Sequence, residues 1–508
     1  MRGLIRIGAL FIFVLFSITP LGAATIHVPA DQPTIQAGID AAGSGDVVLV
    51  ADGTWTGPGN RELDFDGRAI SVASANGPGN CIIDCGGDQY DGFIMDGGEG
   101  PGSVVRGFTI RNGHFGIETA STSPVITGNV ITGCAGGIHA STGSQLITGN
   151  TISGCSMSGI SGGFFYNTGY SWEPVITGNT ITGNGGDGIS FYSEYGFAHV
   201  EISANIIEGN GGQGIGVGGH ISITVTGNTI SGNSGGGVRA AGGETAATVE
   251  GNVITGNSAE RGAGVYMTGG ELRNNLIQDN HASLEGGGIY THYFTSTITN
   301  CTVVGNSAGS RGGGIHLNGG IDLLVASCII RGNQAPVAAE FFAGNNDPNH
   351  RSELRVRYSN IGGGVDGIVL GSGWDQVHLG PGLIDADPLF AAGPNGDHYL
   401  SQVAAGQAVD SPSVDSGDPG EVITGTTRTD EVQDTGVEDQ GYHYHGYAAN
   451  CDLDGSGRVD GRDLAILAWA FGSYIGDWRY SSTADIDGSG TVDGEDMALL
   501  AAYFGSGA

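Results

Sequence analysis

Short apolar alternations fill the middle of the chain. Val125-Ile126-Thr127, Val130-Ile131-Thr132, Val175-Ile176-Thr177 and Thr180-Ile181-Thr182 each centre on one Ile, and each is closed by Gly-Asn or Gly-Cys. Three residues are too few for a helix, and a period of two predicts strands whose Ile and Val side chains fill an interior. The unit repeats. Aligned on its first turn position it falls at Asn129, Asn150, Asn179, Asn205, Asn228, Asn252, Asn275, Cys301 and Cys328, at spacings of 21 to 29 residues. Five residues beyond each lies a second position, at Cys134, Cys155, Asn184, Asn210, Asn233, Asn257, Asn280, Asn306 and Asn333.

A period near 24 residues with short strands between Gly and Asn turns fits one coil of three parallel strands. Leucine-rich repeats share the period but require a Leu consensus, which is absent. Stacked Asn side chains hydrogen-bond along the coil axis and tolerate left-handed turns, which accounts for Asn at fixed positions. The residue after each Gly-Ile or Gly-Val pair then faces outward, giving a stripe of Glu118, His139, Ser161, Ser190, Gly216, Arg239, Tyr266, Tyr290 and His316.

These features resemble the right-handed parallel β-helix proteins of the pectin-lyase-like superfamily, over roughly residues 25–400. The start, Ile26-His27-Val28-Pro29 through Thr34-Ile35-Gln36-Ala37-Gly38-Ile39, is similar to the family's opening, where a short amphipathic helix caps the first coil. Asp385-Ala386-Asp387-Pro388-Leu389-Phe390 and Asp415-Ser416-Gly417-Asp418-Pro419 are similar to its closing segment. The implied fold class is mainly β, a right-handed parallel β-helix solenoid.

Composition narrows the chemistry. The 508 residues include 98 Gly and 52 acidic against 18 basic residues, a net charge of −34, and every basic residue is Arg. Without Lys there is no lysine base, Schiff-base amine or phosphate-loop lysine, and the acidity argues against a nucleic-acid partner. Residues 1–24 read as a secretory signal, with Arg2 and Arg6, an apolar run from Ala9 to Ile18 and small residues Gly22-Ala23-Ala24. No later run is long and apolar enough for a membrane span, so the expected localisation is secreted or cell-surface. The seven cysteines are few for a disulfide scaffold. Cys134 with Cys155, and Cys301 with Cys328, occupy equivalent positions in consecutive coils, where a disulfide is conceivable but buried thiols replacing Asn are the preferred expectation.

After an acidic closing segment and linker, residues 401–448, the pattern changes to two matched loop-plus-helix units over 449–508, offset by 33 residues. A 12-residue calcium loop supplies oxygens from positions 1, 3, 5, 7, 9 and 12. Here those are Asp452, Asp454, Ser456, Arg458 through its carbonyl, Asp460 and Asp463, then Asp485, Asp487, Ser489, Thr491 through its carbonyl, Asp493 and Asp496. Asp at the last position and the missing entering helix make the pair resemble a dockerin, a small α-helical domain binding two Ca2+. The resemblance implies a cohesin-like partner. Loop positions 10 and 11 are Gly461-Arg462 and Gly494-Glu495 rather than the Ser-Thr-like pairs of cohesin-binding dockerins, so a generic cell-surface attachment module is an equal alternative.

Aromatic inserts beside the stripe supply Trp172, Tyr192 and Tyr195, and with Arg239, Tyr266, Tyr290 and His316 they form the candidate substrate-binding set. Aromatic faces with polar tips suit sugar rings, and packing on the coil is the competing explanation. Catalysis is harder to place. Polygalacturonase-like hydrolases of the superfamily carry adjacent aspartates, and this chain has no Asp-Asp pair. Calcium-assisted pectate lyases use a Lys or Arg base, which leaves only Arg239, Arg261 or Arg311. Tyr195-Gly196-Phe197-Ala198-His199 resembles an epimerase motif but lacks its Asp. The expectation is an exported protein binding extracellular polysaccharide, with cleavage as a lyase or glycosidase left open. The alternative is a noncatalytic surface protein, since Asn306-Ser307-Ala308-Gly309-Ser310-Arg311-Gly312-Gly313-Gly314-Ile315 resembles adhesin repeats.

Overall fold

The computed structural model describes residues 23–164, 172–241, 247–292, 296–318, 322–344, 352–371, 374–421, 425–433, 436–444 and 461–471, with Ala484, Ile486, Val492, Met497 and Leu500. The secretory-signal segment and nearly all of both calcium loops lie outside these residues.

Each coil turns through three faces. In one coil these are Val125–Thr127 on the first face, Val130–Thr132 on the second and Gly136–Ala140 on the third. Each strand pairs in parallel with its counterpart a coil later, as in Val125 with Leu146, Val130 with Thr151 and Ile138 with Ile160. The second face has thirteen strands in unbroken chain order. The long strands Ile189–Ser203 and Gln213–Thr226 run from the third face of one coil into the first face of the next and fuse the two into one sheet. Because the register is constant, the central Ile of every short strand stacks on its neighbour. Ile126, Ile147, Ile176 and Ile202 are fully buried in one such column, Ile131, Ile152, Ile181 and Ile207 in another.

The Asn ladders make the sharp turns possible. Asn205 Nδ2 donates to Asn228 Oδ1 at 3.0 Å and to the Ile176 carbonyl at 2.9 Å, while the Asn205 amide donates to the same Asn228 oxygen at 2.9 Å. The ladder Asn amides are thereby satisfied, a condition a polar interior must meet. The first ladder ends where the Asn275 amide meets Cys301 Sγ at 3.5 Å. The second runs to Asn333, whose Nδ2 donates to Glu340 at 2.7 Å. All six described cysteines are buried free thiols, so the ladder positions Cys134, Cys155, Cys301 and Cys328 carry no disulfide. The Gly before each third-face Ile is demanded by packing: a Cβ on Gly188, in Asp187-Gly188-Ile189, would lie 2.5 Å from Ile207 Cγ2 and 2.7 Å from the Gly214 carbonyl.

The first coil is closed by the helix Ile35–Ala41, N-capped by Thr34, which buries Ile35, Gly38 and Ile39. At the other end, the chain leaves the last strand, Trp374–Leu379, and forms the antiparallel hairpin Phe390–Gly393 with Gly396–Leu400. The described residues of 401–421, 425–433 and 436–444 then run back along the outside of the coils as a strap. Asp418 N donates to Ser327 Oγ at 2.9 Å, Asn300 Nδ2 to Glu438 at 3.0 Å and Tyr442 N to Thr302 Oγ1 at 2.9 Å. Tyr399, Tyr442 and Tyr444 bury Leu276 of the second face.

In the C-terminal region, Gly461–Ala470 is a helix. Leu467 and Ala470 pack with Ala484, Ile486, Val492 and Leu500 in a cluster separate from the coil interior.

Candidate polysaccharide-binding face

The outward stripe is continuous on the third face. Glu118 pairs with His139, His139 with Ser161, Ser161 with Ser190, Ser190 with Gly216, Gly216 with Arg239, Arg239 with Tyr266, Tyr266 with Tyr290 and Tyr290 with His316. Its middle is a trough. Ser161, Ser190 and Gly216 form a low floor between His139 and Arg239, about 19 Å long at roughly 4.8 Å per coil. One step along the same strands, Tyr192 pairs with Gly218. A Cβ on Gly218 would sit 3.2 Å from Tyr192 Cδ2, so the missing side chain gives the ring its bed. Tyr192 is 48% exposed and presents that ring to solvent.

Oxygens converge on the floor. A Cβ on Gly216 would meet Gln213 Oε1 at 3.1 Å and Asp187 Oδ2 at 3.2 Å. Asp187 is anchored by the Gln213 amide, which donates to its Oδ1 at 2.7 Å, whereas Gln213 Oε1 is buried without a hydrogen-bond partner. The part-exposed Asp187 carboxylate beside the small-residue floor is suited to accept from a ligand hydroxyl.

Beyond the trough the stripe becomes a stack. The Arg239 guanidinium lies 4.3 Å over the Tyr266 ring, and Tyr266 stacks on Tyr290 at 5.2 Å and 15°. Tyr266 OH and His292 Nε2 share a hydrogen bond of 2.6 Å. Asn318 Nδ2 donates to Tyr290 OH at 2.6 Å, and His316 continues the column to Phe342 at 5.1 Å. Burial first, then the Arg239 charge, pushes His292 down to about 4. Burial also pushes His316 down to about 4, reinforced by Arg311 and Arg261.

Several residues named from sequence prove to be supports. Trp172 is 3% exposed and packs edge-on against Phe191 in the interior, so it offers no ring to a ligand. Tyr290 at 4% and His316 at 2% are likewise covered. The inserts beside them pair into a small parallel sheet, Ser258–Arg261 with His281–Glu285 and Ser307–Ala308. Tyr290 holds Tyr266 from below, and His316 backs Tyr290 at 5.1 Å. Tyr192, Arg239 and Tyr266 remain as surface, and the Tyr195 side chain lies outside the described residues. Sequence reasoning missed Asp187 and Gln213.

It also missed a carboxyl pair. Glu118, at the near end of the stripe, hydrogen-bonds Asp91 from the preceding coil. Burial raises its carboxyl, and Asp91 raises it further through charge and that hydrogen bond. Asp91 also receives the Phe115 amide at 2.7 Å and lies 3.5 Å from His114 Nδ1. His139 stacks on Phe115 at 4.9 Å and contacts Ser161 Oγ at 3.1 Å. A search for adjacent aspartates overlooks such a pair, because a solenoid assembles its neighbours from different coils. Among the described residues, no group of three or more His, Cys, Asp and Glu side chains is arranged to hold a metal ion. No described helix is long and apolar enough to cross a membrane.

A parallel three-faced solenoid with an outward trough defines the class of protein. The family model of the right-handed β-helix region matches residues 68–228 and 217–379, and the chain belongs to that family. Comparison with curated protein sequences returns no match. Among solved structures, the chain is similar to the pectate lyase Pel9A, at 13% identity and TM-score 0.41, covering 84% of this chain and 97% of that one. It is also similar to the mannuronan C-5 epimerase AlgE6 A-module of Azotobacter vinelandii, at 15% identity and TM-score 0.39, covering 70% and 94%. A third is the Agl-KA catalytic domain, at 13% identity and TM-score 0.42, covering 70% and 68%.

Proposed function

We propose that this chain is an exported β-helix protein that binds extracellular polysaccharide along the trough, tethered through a calcium-folded dockerin-like tail. The observation that carries the binding role is the combination of an exposed Tyr192 ring on its Gly218 bed with the part-exposed Asp187 carboxylate at the Gly216 floor. An apolar ring face and a hydroxyl acceptor on one rigid surface are what a sugar requires.

For the tail, the donor set is all oxygen, which fits a hard cation. Asp452, Asp454, Ser456, Asp460 and Asp463, with the Arg458 carbonyl, would hold one Ca2+. Asp485, Asp487, Ser489, Asp493 and Asp496, with the Thr491 carbonyl, would hold the other. A cohesin-like or other cell-surface partner would then engage the folded tail.

The test is a glycan panel incubated with the full chain in calcium, reading both retention and new reducing ends. Retention is expected for at least one extended glycan and is weakened by Tyr192→Ala. New reducing ends would make the protein an enzyme and direct attention to Asp91 and Glu118. Retention of no glycan would remove the binding role.

A further inference from the structure

The polysaccharide reading leaves open which sugars the face prefers, and Arg239 bears on that. In an acidic chain of net charge −34, arginines are commonly tied to carboxylates. Arg111 meets Asp84 at 2.9 Å, Arg331 meets Asp385 at 2.7 Å and Arg357 meets Asp418 at 2.7 Å. Arg239 has no carboxylate partner among the described residues, is exposed, and has one face of its guanidinium committed to Tyr266 at 4.3 Å. A ring beneath a guanidinium fixes its plane but leaves the N–H fork unused, and that fork is the geometry that takes a carboxylate or sulfate through two hydrogen bonds.

The platform under Arg239 is held in place before any ligand arrives. Tyr266 is fixed by its hydrogen bond to His292 and by its stack on the buried Tyr290. His292 is kept neutral by burial and by Arg239 itself, so the nearest histidine adds no second cation. On the trough side, Gly216 is the in-register neighbour of Arg239 and carries no side chain to obstruct approach. A polymer lying on the Ser161, Ser190 and Gly216 floor therefore reaches Arg239 at the end of the trough.

Resting on the polysaccharide reading, we propose that Arg239, held on Tyr266, is an anion-recognising subsite at the end of the trough, and that the preferred ligand is an acidic polysaccharide bearing carboxylate or sulfate groups. The surrounding negative charge repels such a polymer from most of the surface, so recognition depends on this one guanidinium rather than on a diffuse basic patch.

Affinity electrophoresis of the full chain against matched polymers tests this. Pectate and fully methyl-esterified pectin differ only in the carboxylate, and dextran sulfate and dextran differ only in the sulfate. The expected result is retention by pectate or dextran sulfate, whichever carries the right anion, with at least tenfold weaker retention by its neutral partner. Arg239→Gln is expected to abolish that preference, and Arg355→Gln, an arginine paired with Glu353 elsewhere, to leave it unchanged. Equal retention of acidic and neutral partners, or an Arg239→Gln variant with undiminished preference, overturns the subsite while leaving polysaccharide binding intact. Retention of none of the four polymers, nor of any glycan in the wider panel, defeats the binding reading itself and the subsite with it.

Discussion

Asn274 and His443, 169 residues apart, bind each other reciprocally: Asn274 Nδ2 donates to the His443 carbonyl at 2.9 Å, and the His443 amide donates to Asn274 Oδ1 at 2.6 Å. The pair explains an irregularity of the repeat. The residue before the first ladder Asn is Gly in most coils, with φ near 63° at Gly128, Gly149 and Gly178. At three successive coils it is Asn274, Asn300 and Ser327, still left-handed at φ of 51°, 53° and 53°. Backbone strain is accepted there because each side chain reaches the returning strap. Asn274→Gly therefore eases the turn and removes two bonds to the strap. Strap docking should weaken by about 2 kcal/mol, seen as faster amide exchange in residues 436–444 with the coils unchanged; unaltered exchange there would contradict the strap's dependence on Asn274.

The ladders should behave as a buried polar network. Asn205→Ala leaves the Asn179 amide, which donates to Asn205 Oδ1 at 2.9 Å, without its acceptor. The Asn179 Nδ2 bond at 3.0 Å is lost with it. A loss of about 2–4 kcal/mol is expected from the stranded groups, with exchange quickening first in the adjoining coils because a solenoid couples nearest neighbours. Chemical denaturation of the variant measures the loss, and a change below ~0.5 kcal/mol would show the ladder to be dispensable.

Acid should loosen the aromatic stack. His316 is held near 4 in the folded protein against about 6.5 unfolded. Between those values the unfolded chain binds a proton that the native one excludes. The stability from a neutral His316 is thus present above about pH 6.5 and is lost as pH falls toward 4, by an order of 2–3 kcal/mol at most. The check is the unfolding midpoint from pH 7 to 4.5 in the native chain and in His316→Phe. The variant should show the shallower decline, and parallel curves would exclude His316 as the source.

The thiols should be inert. Burial pushes Cys81, Cys85 and Cys155 up to about 12 and Cys134 to about 11, far from the thiolate that reacts. A water-soluble maleimide should label none of the six described cysteines in the native protein and all of them after denaturation. Native labelling at Cys134 or Cys155 would show that the coils open there.

Chelation separates the proposed tail from the rod. Removing calcium should melt the helix Gly461–Ala470 and its packing on Ile486 and Leu500, while the coils keep their exchange protection. A tail helix unaffected by chelator would remove the calcium assignment.

The coil and its outward stripe were legible in the sequence because a solenoid converts distance along the axis into a fixed residue offset. Aligning Gly-Ile and Gly-Val pairs was enough to place Arg239 beside Tyr266 and Gly216. Depth was not legible. Tyr290 and Tyr266 occupy the same repeat position, yet one is buried, because coverage is decided by inserts that break the period. Trp172 was misread for the same reason. The Asp91–Glu118 pair, the Asn274–His443 pair and the approach of Asp187 to Gly216 join residues through tertiary contacts that no motif spacing encodes.

The most direct measurement of the central claim is hydrogen–deuterium exchange of the full chain with and without the glycan it retains best. Trough occupancy predicts added protection in residues 189–193, 213–218 and 236–241, on the strands that carry Tyr192, Gly216, Gly218 and Arg239, with the second face unchanged. Protection confined to the strap, the second face or the tail, with none in the trough strands, would contradict it.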